Sequence, residues 1–447
     1  MEIKSRKSPE GLERSVIYQL FLRAFTLDGT LKAAERLLPH LADLKFDIIY
    51  LCPIVEADDD LNKEYWSERQ LAAGYENPKN SYRMKDYFKI DEEYGTDDDL
   101  KDFVNTAHSL GLKVMLDLVY LHCGPNAVFI KDHPDFVKRD ENNNIISGIW
   151  KFPLLNYKSN ELREYLWSNM AYFIQKFGVD GYRCDVGDKC PLDFWEESRK
   201  RLEKINSNII MLNEGVNPES VACAFDINYN FEWSKILLQV MKNELPAKTI
   251  KEKWTEFFEA YPIGGKYIRT IDTHDIAHDS YENRIEKSIG SDAVEAALII
   301  NHTLDGIPFI YNGYEVADDY KHNMFSNRFY GRDIAINWSN ALTEKGEKRL
   351  NFIKTINSMR HKQHALAFGD VSWLNNNHED SVVSFFRHSK EQNIAVIVNT
   401  SDNELSVEVD ININAAKPIL NKQSQYSFSE KGLKIDMLPY SYLVIEV

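Results

Sequence analysis

Up to Arg360 the chain alternates short apolar, β-branched runs with longer stretches whose apolar positions recur at helical spacing. VIYQLF (16–21) predicts a strand, LKAAERLLPHLADL (31–44) a helix and FDIIYL (46–51) a second strand. DDDLKDFVNTAHSLG opens on acids suited to a helix N-terminus and stops at Gly111, from which KVMLDLVY leaves as a strand. The same punctuation returns in ELREYLWSNMAYFIQKFG before VDGYRCD, and in FWEESRKRLEKINS before NIIMLNEG. CAFDI, YIRTIDTHD (267–275) and GIPFIYNG (306–313) supply three further strands, the last preceded by the helical DAVEAALIINHTLD.

Eight strands that read as apolar runs imply a parallel sheet covered by helices on both faces. A doubly wound open sheet fits any such βα series. The count, and the lack of a GxGxxG or GxxxxGK[ST] phosphate loop, favour a (β/α)8 TIM barrel over residues 1–364. Segments 56–99 and 119–160 are loop excursions after the second and third strands, where a barrel builds its site, and the latter forms a small domain. From residue 365 to 447 the pattern changes to VVSFFRH, IAVIVNT, LSVEVDI and SYLVIEV among turn-rich polar residues, which predicts a C-terminal all-β sandwich domain.

Four acids stand at the C-terminal ends of proposed strands: Asp117, Asp185, Glu214 and Asp275. A closed barrel brings those ends to one mouth, together with His122, Arg183 and His274. A lone strand-end acid means little, and Asp185 with Arg183 also reads as a structural ion pair. The convergent set is the equipment for hydrolysing a glycosidic bond.

In these motifs the sequence resembles the α-amylase family of retaining glycoside hydrolases, including its neopullulanase-like and oligo-α-glucosidase-like members. DLVYLH (117–122) answers the third-strand motif with Leu121 in place of Asn, and GYRCD (181–185) the fourth-strand motif. Glu214 in LNEG answers the fifth-strand acid, and His274–Asp275 the seventh-strand pair, with Thr273 where Asn is usual. SYRMKDYFKIDEEYGT, LLNY and GIPFIYNGYE agree with the flanking text of the family.

The resemblance implies that Asp185 is the nucleophile, Glu214 the general acid/base and Asp275 the third acid. It makes Tyr82, His122, Arg183 and His274 substrate-binding residues and Asp117 a supporting one. Arg183, two positions before Asp185 on the same strand face, is expected to keep the nucleophile ionised. Burial and nearby anionic Asp185 are expected to raise Glu214. The implied activity is hydrolysis of α-1,4 bonds in maltooligosaccharides or dextrins, with glucanotransfer by the same double displacement as an alternative. A non-catalytic sugar-binding or protein-interaction barrel is the alternative of another class.

Departures qualify the family's details. Leu121 cannot coordinate calcium, and VGDKC follows the fourth motif where many relatives have Lys-His, so no cofactor or metal is expected. The acidic runs 58–60 and 97–99 read first as a solvated loop and a helix start. Arg83 follows Tyr82 where many relatives carry Asp, so the sugar site there is expected to be rearranged, and Tyr65, Trp66, Tyr75 and Trp150 are candidates for stacking on further glucose units.

Composition closes off other classes. Fifty-three basic against 69 acidic residues give a net charge of −16, which disfavours nucleic acid and anionic membranes and suits a neutral glucan. No apolar run reaches the ~18 residues of a spanning helix, and five scattered cysteines point to a reduced, cytoplasmic chain.

Overall fold

The computed structural model describes residues 3–279, 284–331, 335–411, 415–429 and 432–447. Eight short parallel strands form the central sheet: β1 (Ile17–Leu20), β2 (Ile48–Leu51), β3 (Lys113–Leu118), β4 (Gly181–Cys184), β5 (Ile210–Asn213), β6 (Ile227–Asn228), β7 (Ile268–Arg269) and β8 (Ile307–Tyr311). They run in the order β6-β5-β4-β3-β2-β1-β8-β7. A parallel bridge between Asn228 and Tyr267, with Asn228 N–H donating to Lys266 O at 2.9 Å, joins the two ends and closes the barrel. Nearly every strand residue is buried, as the continuous apolar runs require.

Local signals account for the helix limits. Thr96 and Asp99 make a reciprocal capping box at the start of Asp97–Ser109, so the 97–99 acids serve a helix N-terminus. Asn160–Phe177 stops at left-handed Gly178. The single helix expected over 31–44 is two pieces, Leu31–Glu35 and Leu38–Asp43, because Pro39 in the first turn of the second piece has no N–H to continue the ladder. YIRTIDTHD also divides: β7 ends at Arg269, and His274–Asp279 is helical. CAFDI is a strand only at its end, since Pro218–Cys223 is a helix.

Excursion 56–99 carries a hairpin of Val55–Ala57 against Met84–Ile90 and a short helix, Glu68–Ala72. Excursion 119–160 is held by isolated bridges, among them His122 with Leu154 and Val137 with Leu155.

A helix at His364–Phe368 leads into the terminal sheet, which comprises β9 (Asp370–Trp373), β10 (Val382–His388), β11 (Asn393–Asn399), β12 (Leu405–Val409), β13 (Lys417–Ser429) and β14 (Gly432–Glu446). The order is β9-β10-β11-β14-β12, with β13 also on β14, all antiparallel. Alternation along β11 divides its faces. Ile394, Val396 and Val398 join the barrel core, while Ala395 and Ile397 belong to a separate core with Val407, Leu433 and Ile435. Among the described residues no helix is long and apolar enough to cross a membrane.

Candidate active site

Strand register assembles the first half of the site. Asp117 on β3 pairs directly with Arg183 on β4, and the N–H groups of Asp185 and Glu214 bond to Leu118 O and Cys184 O on the preceding strands. The four side chains therefore occupy neighbouring strand ends. Arg183 is fully buried at their centre. Its Nη1 lies 2.8 Å from Asp117 Oδ1 and 2.7 Å from Asp185 Oδ1, while Nη2 lies 2.9 Å from Glu214 Oε2. One guanidinium thus contacts three carboxyl groups, which makes Asp185 and Glu214 neighbours.

Just beyond Asp185 the backbone enters the left-handed region at Val186 (φ 44°), which points its N–H at Glu214 Oε2, 2.7 Å away. The turn needs Gly187, where a Cβ would fall 2.1 Å from Asn213 Oδ1.

The other wall comes from His274–Asp279. Asp275 Oδ1 accepts from Arg69 Nη1 at 2.9 Å, and its Oδ2 lies 3.4 Å from His274 Nε2. Tyr82 stacks on His274 with ring centroids 5.3 Å apart, and its hydroxyl lies 2.7 Å from His274 Nε2 and 2.9 Å from Asp117 Oδ2. Tyr50 donates to the same Asp117 oxygen at 2.5 Å. Asp117 therefore orders Arg183 and two tyrosines from beneath. His122 Nε2 donates to Tyr82 O at 2.9 Å, and its ring packs against Trp150 and Phe152.

These walls border a cleft, open to solvent, lined by Tyr82, His122, Asp185, Glu214, His274 and Asp275. Arg69, Trp150 and Phe325, from three different loops, narrow it. The eight residues expected to be catalytic, substrate-binding or supporting converge here, Asp117 and Arg183 lying immediately below the cleft floor.

Electrostatics divide the acids. Burial pushes Glu214 up to about 7 against the pull of Arg183, and Asp275 is the anion that adds most to the rise. Desolvation would raise half-buried Asp275 too, but His274 and Arg69 outweigh it and hold its carboxyl below the usual range. The expected depression of Asp185 is not found. Burial drives it well up, with help from Glu214 and Asp117, and the Arg183 contact only opposes the rise. Burial is the largest cause, and Arg183 cannot cancel it for Asp185 alone because the same guanidinium also contacts Asp117 and Glu214. Burial lowers His122 to about 4 and lowers His274, leaving both rings neutral near pH 7.

Two aromatic expectations separate. Trp150 lines the cleft, but Trp66 is buried and its Nε1 donates to Asp60 O. Arg83 faces away from the cleft: its guanidinium donates to the carbonyls of Tyr65, Asp58, Asp60 and Pro78. It braces the excursion instead of touching sugar. Arg69, Gln19 and Tyr50 escaped the sequence reading, because a loop arginine, a strand glutamine and an apolar-run tyrosine carry no motif.

The family profile described as "Alpha amylase, catalytic domain" matches residues 14–146 and 140–365. The chain belongs to the α-amylase family. A cyclomaltodextrinase from Geobacillus thermopakistaniensis is 23% identical, over 94% of this chain and 70% of that protein. A maltogenic α-amylase from Bacillus acidopullulyticus is 24% identical, over 98% of this chain and 78% of its own. Among solved structures, the noncanonic maltogenic α-amylase AmyB from Thermotoga neapolitana superposes with a TM-score of 0.82 at 24% identity, covering 98% of this chain and 99% of that one. This α-amylase-family barrel is thus a glycoside hydrolase in which the third-strand and fourth-strand motifs meet at Arg183.

Leu121 offers a hydrocarbon side chain, and Asp58 in the neighbouring excursion already accepts from Asp60 N–H and Asn126 N–H at 2.8 and 2.7 Å. Among the described residues no group of three or more His, Cys, Asp or Glu side chains is placed to hold a metal.

Proposed function

We infer that this α-amylase-family enzyme cleaves α-1,4-glucosidic bonds of maltooligosaccharides or dextrins with retention, Asp185 acting as nucleophile and Glu214 as acid/base. The observation that carries this reading is the single guanidinium of Arg183 touching both Asp185 and Glu214 at the cleft floor. Adjacent carboxyls suit double displacement, in which they stand ~5–5.5 Å apart, whereas inversion needs a wider gap for water.

In the first step an Asp185 oxygen bonds to the anomeric carbon as the C1–O bond breaks, and the proton of Glu214 passes to the departing oxygen. Glu214, held protonated up to about pH 7, has that proton to give. Water then attacks C1, returns its proton to Glu214 and releases Asp185. Asp275 stays ionised throughout, suited to accept from sugar hydroxyls and to face the positive charge that develops on the ring. His122 lines the cleft with its ring, while its Nδ1 is a buried acceptor without a protein partner among the described residues. Tyr82 presents a ring for stacking.

The relatives named cyclomaltodextrinase and maltogenic α-amylase support short maltooligosaccharides as substrates. We also place the enzyme in a reducing, cytoplasmic setting, a reading supported by five unpaired cysteines, four of them buried. The test is proton NMR of maltotriose digestion. α-Anomeric products appearing before mutarotation are expected, and β-anomers would overturn the retaining assignment. Asp185→Asn should lower kcat by about 10⁴-fold or more. Oligomers longer than the substrate would assign the second displacement to transfer instead of hydrolysis.

A further inference from the structure

We propose that Arg69 is a positioning residue: it clamps Asp275 by side chain and main chain together, fixing the face that this carboxylate turns to the sugar. The proposal rests on the reading of the cleft given above. Arg69 Nη1 donates to Asp275 Oδ1 at 2.9 Å and Nη2 to Asp275 O at 3.2 Å. Two donors of one planar group, set on two acceptors of one residue, leave the carboxylate no rotation about its own stem.

The clamp is effective because its base is braced. Arg69 rides on Glu68–Ala72, whose N-cap Ser67 accepts from Gln70 N–H at 3.2 Å. Buried Gln70 donates to Asn77 O and Pro78 O, and Asn77 Nδ2 donates to Phe325 O at 2.8 Å in the loop after β8. Arg83 gathers the carbonyls of Asp58, Tyr65 and Pro78 in the same excursion. Arg83 therefore steadies the platform from which Arg69 reaches Asp275.

The clamp also has an electrical consequence. The groups facing Asp275 include Arg69, His274, Glu214, Tyr229 and Arg183. Those facing Glu214 are Arg183, Asp185, Asp117, Asp275 and Tyr229. Arg69 offsets the Asp275 charge that Glu214 feels, so it limits how far Glu214 holds its proton into the alkaline range.

Wild type, Arg69→Met and Arg69→Lys are compared on maltotriose across pH, with thermal unfolding midpoints. Activity of the wild type tests the hydrolase reading by itself, so its failure is separable from failure of the clamp. In Arg69→Met, kcat/KM should fall at least about tenfold, as supporting residues of a site typically do. Its alkaline limb should move up by about half a pH unit or more. Arg69→Lys keeps the charge but not the fork, so its limb should stay at the wild-type position while kcat/KM remains several-fold low. Wild-type kcat/KM in either variant overturns the proposal. So does equal impairment of both with the Lys limb displaced, and the Lys variant decides the matter alone if the Met variant does not fold.

Discussion

Gln19 fixes the tautomer of His274. Its Oε1 accepts the His274 backbone N–H at 3.1 Å, so the other end of the amide is a donor and faces Nδ1 at 2.6 Å. The ring proton must then sit on Nε2, toward the Tyr82 hydroxyl, which passes its own proton toward Asp117. A chain of four residues from β1, the β7 helix, the first excursion and β3 is aligned by one buried amide. Gln19→Leu removes both bonds while retaining bulk. The expected result is a 10–100-fold loss of kcat/KM on maltotriose, about the range for residues that orient a first layer of ligands. A variant with wild-type kcat/KM would show the tautomer to be irrelevant.

The raised Glu214 makes activity and stability fall over the same pH range. Activity needs the protonated form, so kcat/KM should fall as pH rises through about 7. For stability, a carboxyl raised from 4.5 to about 7 in the folded state contributes fully below its unfolded value and loses that contribution as pH climbs through the folded one. At pH 8 the fold carries an unfavourable buried charge. Glu214→Gln should therefore raise stability by about 2 kcal/mol at pH 8 and by little at pH 4, while abolishing most turnover. Denaturant unfolding at the two pH values measures the difference. A Gln variant no more stable at pH 8 than wild type would mean that Glu214 ionises freely.

Legibility in the sequence followed the strength of the local signal. β10 coincides with VVSFFRH because a run of β-branched and aromatic residues is a local strand signal, and Asp97–Ser109 with its acidic start because a capping box is local. β13 was invisible: KPILNKQSQYSFS is mostly polar, and only pairing along β14 makes it a strand. At the site, motif residues were legible because each closes a strand. The tertiary partners were not. Arg69 is 206 positions from Asp275 and Gln19 is 255 from His274, separations at which no period or motif carries information. The sign of the Asp185 shift was missed for a related reason. A strand pattern shows Arg183 two residues away, but not that Asp117 and Glu214 compete for it.

Calcium gives a separate prediction. With Leu121 at the usual ligand position and Asp58 already accepting from the N–H groups of Asp60 and Asn126, chelation with excess EDTA should leave kcat and the unfolding midpoint unchanged. Added calcium should not raise either. A chelator-induced loss that calcium restores would reveal a site built from other oxygens.

Arg360 ties together parts of the chain that share no strand. Its Nη1 donates to Leu366 O at 2.6 Å and lies within 3.3 Å of His302 O and 3.1 Å of Leu304 O, while Nη2 donates to Glu13 O at 2.8 Å and Gly306 O at 2.6 Å. One buried fork therefore joins the N-terminal turn, the connection into β8 and the helix entering the terminal sheet. Arg360→Met relieves the cost of burying a cation but leaves these carbonyls without their donor. Charge-assisted bonds contribute more than neutral ones, so the net should be a destabilisation of about 2–4 kcal/mol. Arg360→Lys should recover little of it, since one ammonium cannot span the positions a planar fork reaches. The site itself is remote from this junction, so kcat/KM well below the unfolding midpoint should stay near wild type in both variants. Thermal unfolding read beside maltotriose kinetics checks both statements, and a Lys variant as stable as wild type would show that charge alone, without the fork, holds the junction.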